Sequence, residues 1–188
     1  FILDKLQQQL PGAKVVSANP VVRASRMIKT PSEIALMRAA NWITLEAIRT
    51  VHSKIAPGVS DGDVRRMLQE QMVRSGGEDP WALVLFGPAS ALPHGTGKPQ
   101  RLEAGDMVLI DTGCAVHGYQ ADISRSFVVG RRWSRDQVAL WQRVQLGQQI
   151  AWNALKLGAP AGSVDDAVRR AYESWGYGPG YQLPGLSH

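Results

Sequence analysis

From Thr30 onward the apolar positions recur at helical intervals. Ile34, Met37, Ile43, Ala47 and Val51 fall mostly on one side of a 3.6-residue repeat. Thr30-Pro31-Ser32-Glu33 reads as a capping box with proline at the first helical position, and Pro57-Gly58 closes the run. Ser60 and Asp63 open a second helix carrying Val64, Met67, Leu68 and Met72, stopped by Gly76-Gly77. The pattern then becomes strand-like. Trp81 to Phe86, Met107 to Thr112 and Gly118 to Val129 read as strands, the first two separated by a loop rich in proline and glycine. After Gly130 the helical pattern returns. Ser134 to Gln137 forms a second capping box, and Val138, Trp141, Val144, Ile150, Ala151 and Leu155 mark a helix running to Gly158. Trp141 and Trp152 are expected to fill the core from this helix. A Pro-containing turn ending at Ser163 leads into a last helix through Val164 to Arg170.

The two helical stretches repeat one another. Thr30 and Ser134 are 104 residues apart, and so are the Val-Arg-Arg triplets at Val64 and Val168. A period of that length is too long for a solenoid and suggests two related αβ halves. The first half supplies strands after its second helix. The second reaches His188 where its strands should begin, so the chain reads as cut in mid-repeat. Residues 1–29 carry little periodic signal beyond a short amphipathic start and the turn residues Pro11-Gly12 and Asn19-Pro20. They read as the end of an upstream domain and a linker, with residues 30–188 as the start of a catalytic domain. The opening Phe1-Ile2-Leu3-Asp4 has no initiator methionine and no basic leader.

Composition narrows the class of function. At 44% hydrophobic and 20% charged residues, 188 residues hold enough apolar material for a core. No apolar run reaches the roughly 18 residues of a membrane span. The net charge of +5 would suit a nucleic-acid partner, but the basic residues lie in isolated doublets, Arg65-Arg66, Arg131-Arg132 and Arg169-Arg170. No nucleic-acid or membrane partner is therefore expected. A single cysteine, Cys114, forms no internal disulfide and fits a reducing, cytoplasmic setting.

Two carboxylates carry the chemistry. Asp111 ends a strongly apolar strand in the run GDMVLIDTG, and Asp122 follows eleven residues later in GYQADISRS. A hairpin turning at Val116-His117 sets the two directly opposite on one face, with Cβ atoms about 4.5–5.5 Å apart. Like charges so placed repel by roughly 0.2–1 kcal/mol at a surface. A proton, an interposed arginine or a pair of divalent cations would relieve them, and oxygen ligands can bridge two cations about 3.5–4 Å apart. A register slipped by one residue would instead send the aspartates to opposite faces.

This pair resembles the aspartates of the pita-bread metallopeptidases, the group of methionine aminopeptidase, aminopeptidase P and the Xaa-Pro dipeptidases. The resemblance extends over about residues 20–188. His94, in Ala91-Leu92-Pro93-His94-Gly95-Thr96-Gly97, lies 17 residues before Asp111, where the family places an active-site histidine. Ala121 is a small departure, since serine is commoner there. The resemblance implies an α/β fold of the α+β type: a curved, mainly antiparallel sheet with outer helices, in two pseudo-symmetric halves, the second truncated here. It implies two divalent ions, Mn²⁺ first, with Co²⁺ or Zn²⁺ as alternatives. Asp111 and Asp122 would be metal ligands, His94 a catalytic substrate contact, and Ser124 a hydrogen-bond partner of a ligating carboxylate. His188 aligns with the first histidine of a second motif and would also contact substrate; the other alignment makes it a metal ligand. One further histidine and two glutamates of the family's ligand set would lie beyond it, so these 188 residues alone are expected to be inactive. The implied activity is hydrolysis of peptide bonds preceding proline by a metal-bridging water, on a small peptide substrate, by a homodimer when full length. Aminopeptidase P or methionine aminopeptidase activity is the alternative within the class. Outside it stand a non-catalytic pita-bread module that binds peptides or proteins, and a metal-independent creatinase-type hydrolase.

Overall fold

The computed structural model describes residues 2–178. Helices α1 (Ile2–Gln9) and α2 (Asn19–Arg26) come first, followed by α3 (Pro31–His52) and α4 (Asp61–Arg74). Strands β1 (Glu78–Phe86), β2 (Met107–Val116), β3 (Tyr119–Gln120) and β4 (Ile123–Val128) make one antiparallel sheet, and α5 (Arg135–Ala154) and α6 (Gly162–Ser174) follow. In the sheet β2 is central, with β1 on one edge and β3 and β4 in succession along the other. No helix among the described residues is long and apolar enough to cross a membrane.

The core lies on one face of this sheet. In β2, Val108, Ile110, Thr112 and Cys114 are fully buried, whereas the alternate residues Leu109 and Asp111 are only partly covered. Helix α3 lays Ala40, Ile43, Thr44, Ala47, Ile48 and Val51 toward that side at i, i+3, i+4 spacing. Helix α4 adds Val64, Leu68 and Met72. Each aliphatic side chain taken out of water here contributes roughly 1.5–3 kcal/mol. Cys114 is a packing residue, with its sulfur 3.5 Å from Thr44 Oγ1.

The capping boxes predicted at Thr30 and Ser134 are both formed, each with reciprocal side-chain and backbone bonds. Other boundaries differ from expectation. Helix α3 ends at His52, short of Pro57-Gly58, and Asn19-Pro20 starts a helix instead of making a turn, because proline suits the first helical turn. Neither α1 nor α2 buries a residue. Ser163 lies inside the first turn of α6, its hydroxyl donating back to the Pro160 carbonyl, so it is no N-cap. The placement of Trp141 and Trp152 in the core is also corrected: they are 42% and 72% exposed. Helix α5 buries only Gly147, where a Cβ would lie 2.7 Å from the Tyr172 hydroxyl of α6, so these two helices pack on each other and leave the tryptophan side of α5 open.

One polar link ties the hairpin to the start of α3. The Tyr119 hydroxyl donates to Glu33 Oε1 at 2.7 Å, while Glu33 Oε2 accepts the Thr30 amide at 2.6 Å. The Thr30 backbone bond above all, then the Tyr119 hydroxyl, lower the Glu33 pKa to about 2. A carboxylate lowered in this way stabilises the fold fully above its ordinary range near pH 4.5 and loses that contribution as the pH falls toward 2. Tyr119→Phe is therefore expected to lower the melting temperature at pH 7 and to have a smaller effect near pH 2, as paired thermal melts would read.

Candidate functional site

The site grows from the face of the sheet opposite the core. A row of paired residues, Leu83 of β1, Asp111 of β2 and Ser124 of β4, runs across that face. The hairpin turns at His117-Gly118, both with positive φ (48° and 80°), as a two-residue loop of this twist requires. The expected turn at Val116-His117 is thus corrected by one residue, and the register that set Asp111 directly opposite Asp122 by two: Asp111 faces Ser124, and Ala115 faces Gln120. A shift of two preserves the face. Asp122 stays on the side of Asp111, diagonal to it and level with Gly113. The left-handed conformation falls most easily on Gly118, and this places the turn.

Between β3 and β4 the ladder is interrupted at Ala121 and Asp122. The cause is a close backbone approach. A Cβ at Gly113 would lie 1.9 Å from the Ala121 carbonyl oxygen and 2.9 Å from Trp81 Nε1. The absent side chain lets the 121–122 backbone lean over β2 on the Asp111 face, and the Ala121 amide still reaches the Cys114 carbonyl at 2.8 Å. Asp122 is held above the ordinary carboxylate range, first by partial desolvation, then by the Asp111 charge and by hydrogen bonding between the two carboxyls. Ser124 Oγ donates to Asp111 Oδ1 at 2.6 Å.

His94 approaches the same face from the long loop between β1 and β2. It is exposed, and with Leu83 and Leu85 it lines a cleft of about 380 Å³. Gly95 (φ +73°) lets the loop lie on those leucines: a Cβ there would be 2.8 Å from Leu85 Cδ2. Because Leu83 pairs with Asp111, the His94 loop and both aspartates share one side of the sheet. His117 stands at the hairpin tip, 3.9 Å from Glu78, and His52 packs edge-on to Phe127. His188 lies outside the described residues.

Two carboxylates supply hard oxygen donors suited to a divalent cation, so the residues fit part of such a site. Among the described residues, no group of three or more His, Cys, Asp or Glu side chains is placed to hold a metal ion.

Comparison with known proteins decides the family. The profile of Metallopeptidase family M24 matches residues 35–188. The chain belongs to that family. It is 32% identical over 170 residues to an Xaa-Pro dipeptidase of Pyrococcus furiosus, covering 89% of this chain and 48% of that protein. Among solved structures, an X-Pro aminopeptidase from Thermotoga maritima MSB8 superposes with a TM-score of 0.84 at 26% identity, covering 94% of this chain and 50% of that one. The prolidase from Pyrococcus furiosus superposes at 0.81 with 32% identity, covering 87% and 49%. This M24 chain spans about half the length of the curated relatives it matches. Its mixed α/β architecture with an antiparallel sheet is the pita-bread fold.

Gly113 and Leu83 were not singled out from sequence. The first had a visible signal, a glycine two residues after an aspartate inside a strand. Leu83 had none, since it reads as one more apolar strand residue.

Two outcomes follow for this M24 site. Gly113→Ala must displace backbone, and is expected to destabilise the chain by more than about 2 kcal/mol in denaturant titrations. Asp122→Asn removes a like charge and is expected to stabilise the metal-free chain at pH 7 by roughly 0.2–1 kcal/mol. With a native pKa raised above its unfolded value, Asp122 weakens the fold when ionised. The gain from asparagine should therefore vanish below the carboxylate range, which melts in chelator at pH 7 and pH 3 would test.

Proposed function

We propose that the protein is a metal-dependent peptidase cleaving the bond before proline in a dipeptide, with Asp111 and Asp122 holding its divalent ions. One observation carries the reading: two carboxyls meet on the open sheet face, and Asp122 is pushed up partly by Asp111. A cation neutralises such a pair at neutral pH, and an all-oxygen donor pair suits Mn²⁺, with Co²⁺ or Zn²⁺ as alternatives. When bound, the ions supply Lewis-acid polarisation of a scissile carbonyl and activation of water.

The chain's own residues orient the reaction. Ser124 Oγ donates to Asp111 Oδ1 and fixes the plane of a carboxylate that would help hold the ions. His94 donates a hydrogen bond to the substrate, or to the oxygen that gains charge as its carbonyl is attacked. His188 makes a second substrate contact. The substrate is a small peptide, and the full-length protein is a cytoplasmic homodimer. Cleavage at the N-terminus of longer peptides is the second reading, favoured by the likeness to the Thermotoga aminopeptidase. The carboxyl pair speaks against a non-catalytic peptide-binding module, which has no use for two repelling charges.

Calorimetric titration of the full-length protein with Mn²⁺ is expected to show binding that Asp111→Ala and Asp122→Ala each abolish. Ser124→Ala should weaken it about 10- to 100-fold. Hydrolysis of Gly-Pro, set against that of a longer peptide with proline second, separates the two specificities. A wild-type protein that binds no divalent cation would sink the whole reading.

A further inference from the structure

The start of α4 grips the far end of the loop that carries His94. Asp61, the first residue of α4, is buried at 6% exposure, unusual for a carboxylate. Its Oδ1 accepts the Gln100 amide at 2.9 Å, and its Oδ2 accepts Arg65 Nη2 at 2.6 Å. The Asp61 amide donates back to the Gln100 carbonyl at 3.2 Å, so both backbone polar groups of Gln100 are taken up by one residue. The Gln100 side chain then reaches β1, where its Oε1 accepts the Phe86 amide at 2.8 Å. Just beyond this contact the Leu102 amide bonds the Val59 carbonyl at 3.0 Å, and Arg101 Nη1 bonds the Gly58 carbonyl at 2.9 Å.

The loop is thus held at two places. Near His94 it rests on Leu83 and Leu85 through Gly95; at Gln100 it is bonded to α4 and β1 together. The segment between them, Thr96 to Pro99, is exposed, and the cleft beneath is lined by Ser60, Asp61, Arg65 and the leucines. A leucine contact resists little sliding, because dispersion is non-directional. Among the directional bonds at Gln100, the one from the Asp61 side chain is charge-assisted and nearest to the exposed segment.

We propose that Asp61 is a positioning residue: by clamping Gln100 it fixes the His94 loop onto the sheet face that carries Asp111 and Asp122. Its importance for catalysis rests on the peptidase reading above, whereas the clamp itself does not. Arg65 has a lesser part. It holds the other carboxylate oxygen and keeps the buried charge paired.

The clamp is tested by hydrogen exchange on the 188-residue chain. Asp61→Ala, and Asp61→Ser, too short to reach Gln100, are each expected to speed exchange over residues 94–100 at least about tenfold. Protection at Val108 and Ile110 in the core strand should remain. Asp61→Asn keeps the Oδ1 acceptor and should stay within about threefold of wild type. In the full-length enzyme, Asp61→Ala should lower kcat on Gly-Pro by about 10- to 100-fold through misplacement of His94. Calorimetric Mn²⁺ affinity should stay unchanged, and Asp61→Asn should restore most of the rate. Unchanged loop exchange, or a general loss of protection across the sheet in both short variants, overturns the proposal. A drop in Mn²⁺ affinity that matches the drop in rate overturns it as well. A wild type that binds no Mn²⁺ and cleaves nothing sinks the peptidase reading instead, leaving the exchange result to judge the clamp.

Discussion

The local geometry of the carboxylate pair depends on one atom that is missing. At Gly113 the central strand has no Cβ, and the carbonyl of Ala121 occupies the space where one would be. With any side chain there, β3 and β4 would have to run as one flat strand, the diagonal partners Asp111 and Asp122 about 7–8 Å apart between Cα atoms. Because the chain leans over the glycine, the carboxyls come close enough to influence one another's protonation. A steric vacancy in β2 thereby becomes an electrostatic feature on its surface. Trp81 flanks the same vacancy, its indole nitrogen beside the glycine, so β1, β2 and the segment between β3 and β4 meet there.

Division of labour between the faces makes this tolerable. Helices α3 and α4 cover one side of the sheet and provide the burial that holds it together. The repelling pair sits on the other side, where solvent screens it and where Ser124 can satisfy an oxygen of Asp111. Helix α4 serves both faces. Val64, Leu68 and Met72 pack inward, while its first residue holds the His94 loop over the sheet edge. Moving that helix would disturb the core and the loop together.

Much of this was legible in the sequence, to different depths. The capping boxes at Thr30 and Ser134 placed two helices to within a residue at their starts, because the signal is local and reciprocal. Strand periodicity put Asp111 and Asp122 on one face, and that survived a register error of two residues because side-chain direction repeats every two. The error came from the turn: Gly118 and not the midpoint of the apolar runs decides where the chain reverses. The packing of Trp141 and Trp152 was misjudged since amphipathic spacing says which side of a helix is apolar, not what lies against it. Asp61 was unreadable for a different reason. An acidic residue in a first helical turn is ordinary, and only the fold shows that this one is buried against a loop 39 residues away.

What neutralises the pair is the remaining physical question, and the geometry weighs the three candidates unequally. Arg125 is the nearest arginine in sequence, but it pairs across the sheet with Ile110, on the opposite face, and its guanidinium donates to the Ser124 carbonyl. It is not interposed between the carboxyls. A shared proton is the second candidate, and the raised Asp122 makes it the natural state in acid. Raising the pH withdraws that proton and leaves two charges facing one another, with the Ser124 hydroxyl as a neutral donor to Asp111. In the proposed peptidase a divalent cation would restore the balance without a proton. On the proposed function, the carboxyl pair would exchange protons for metal as the pH rises.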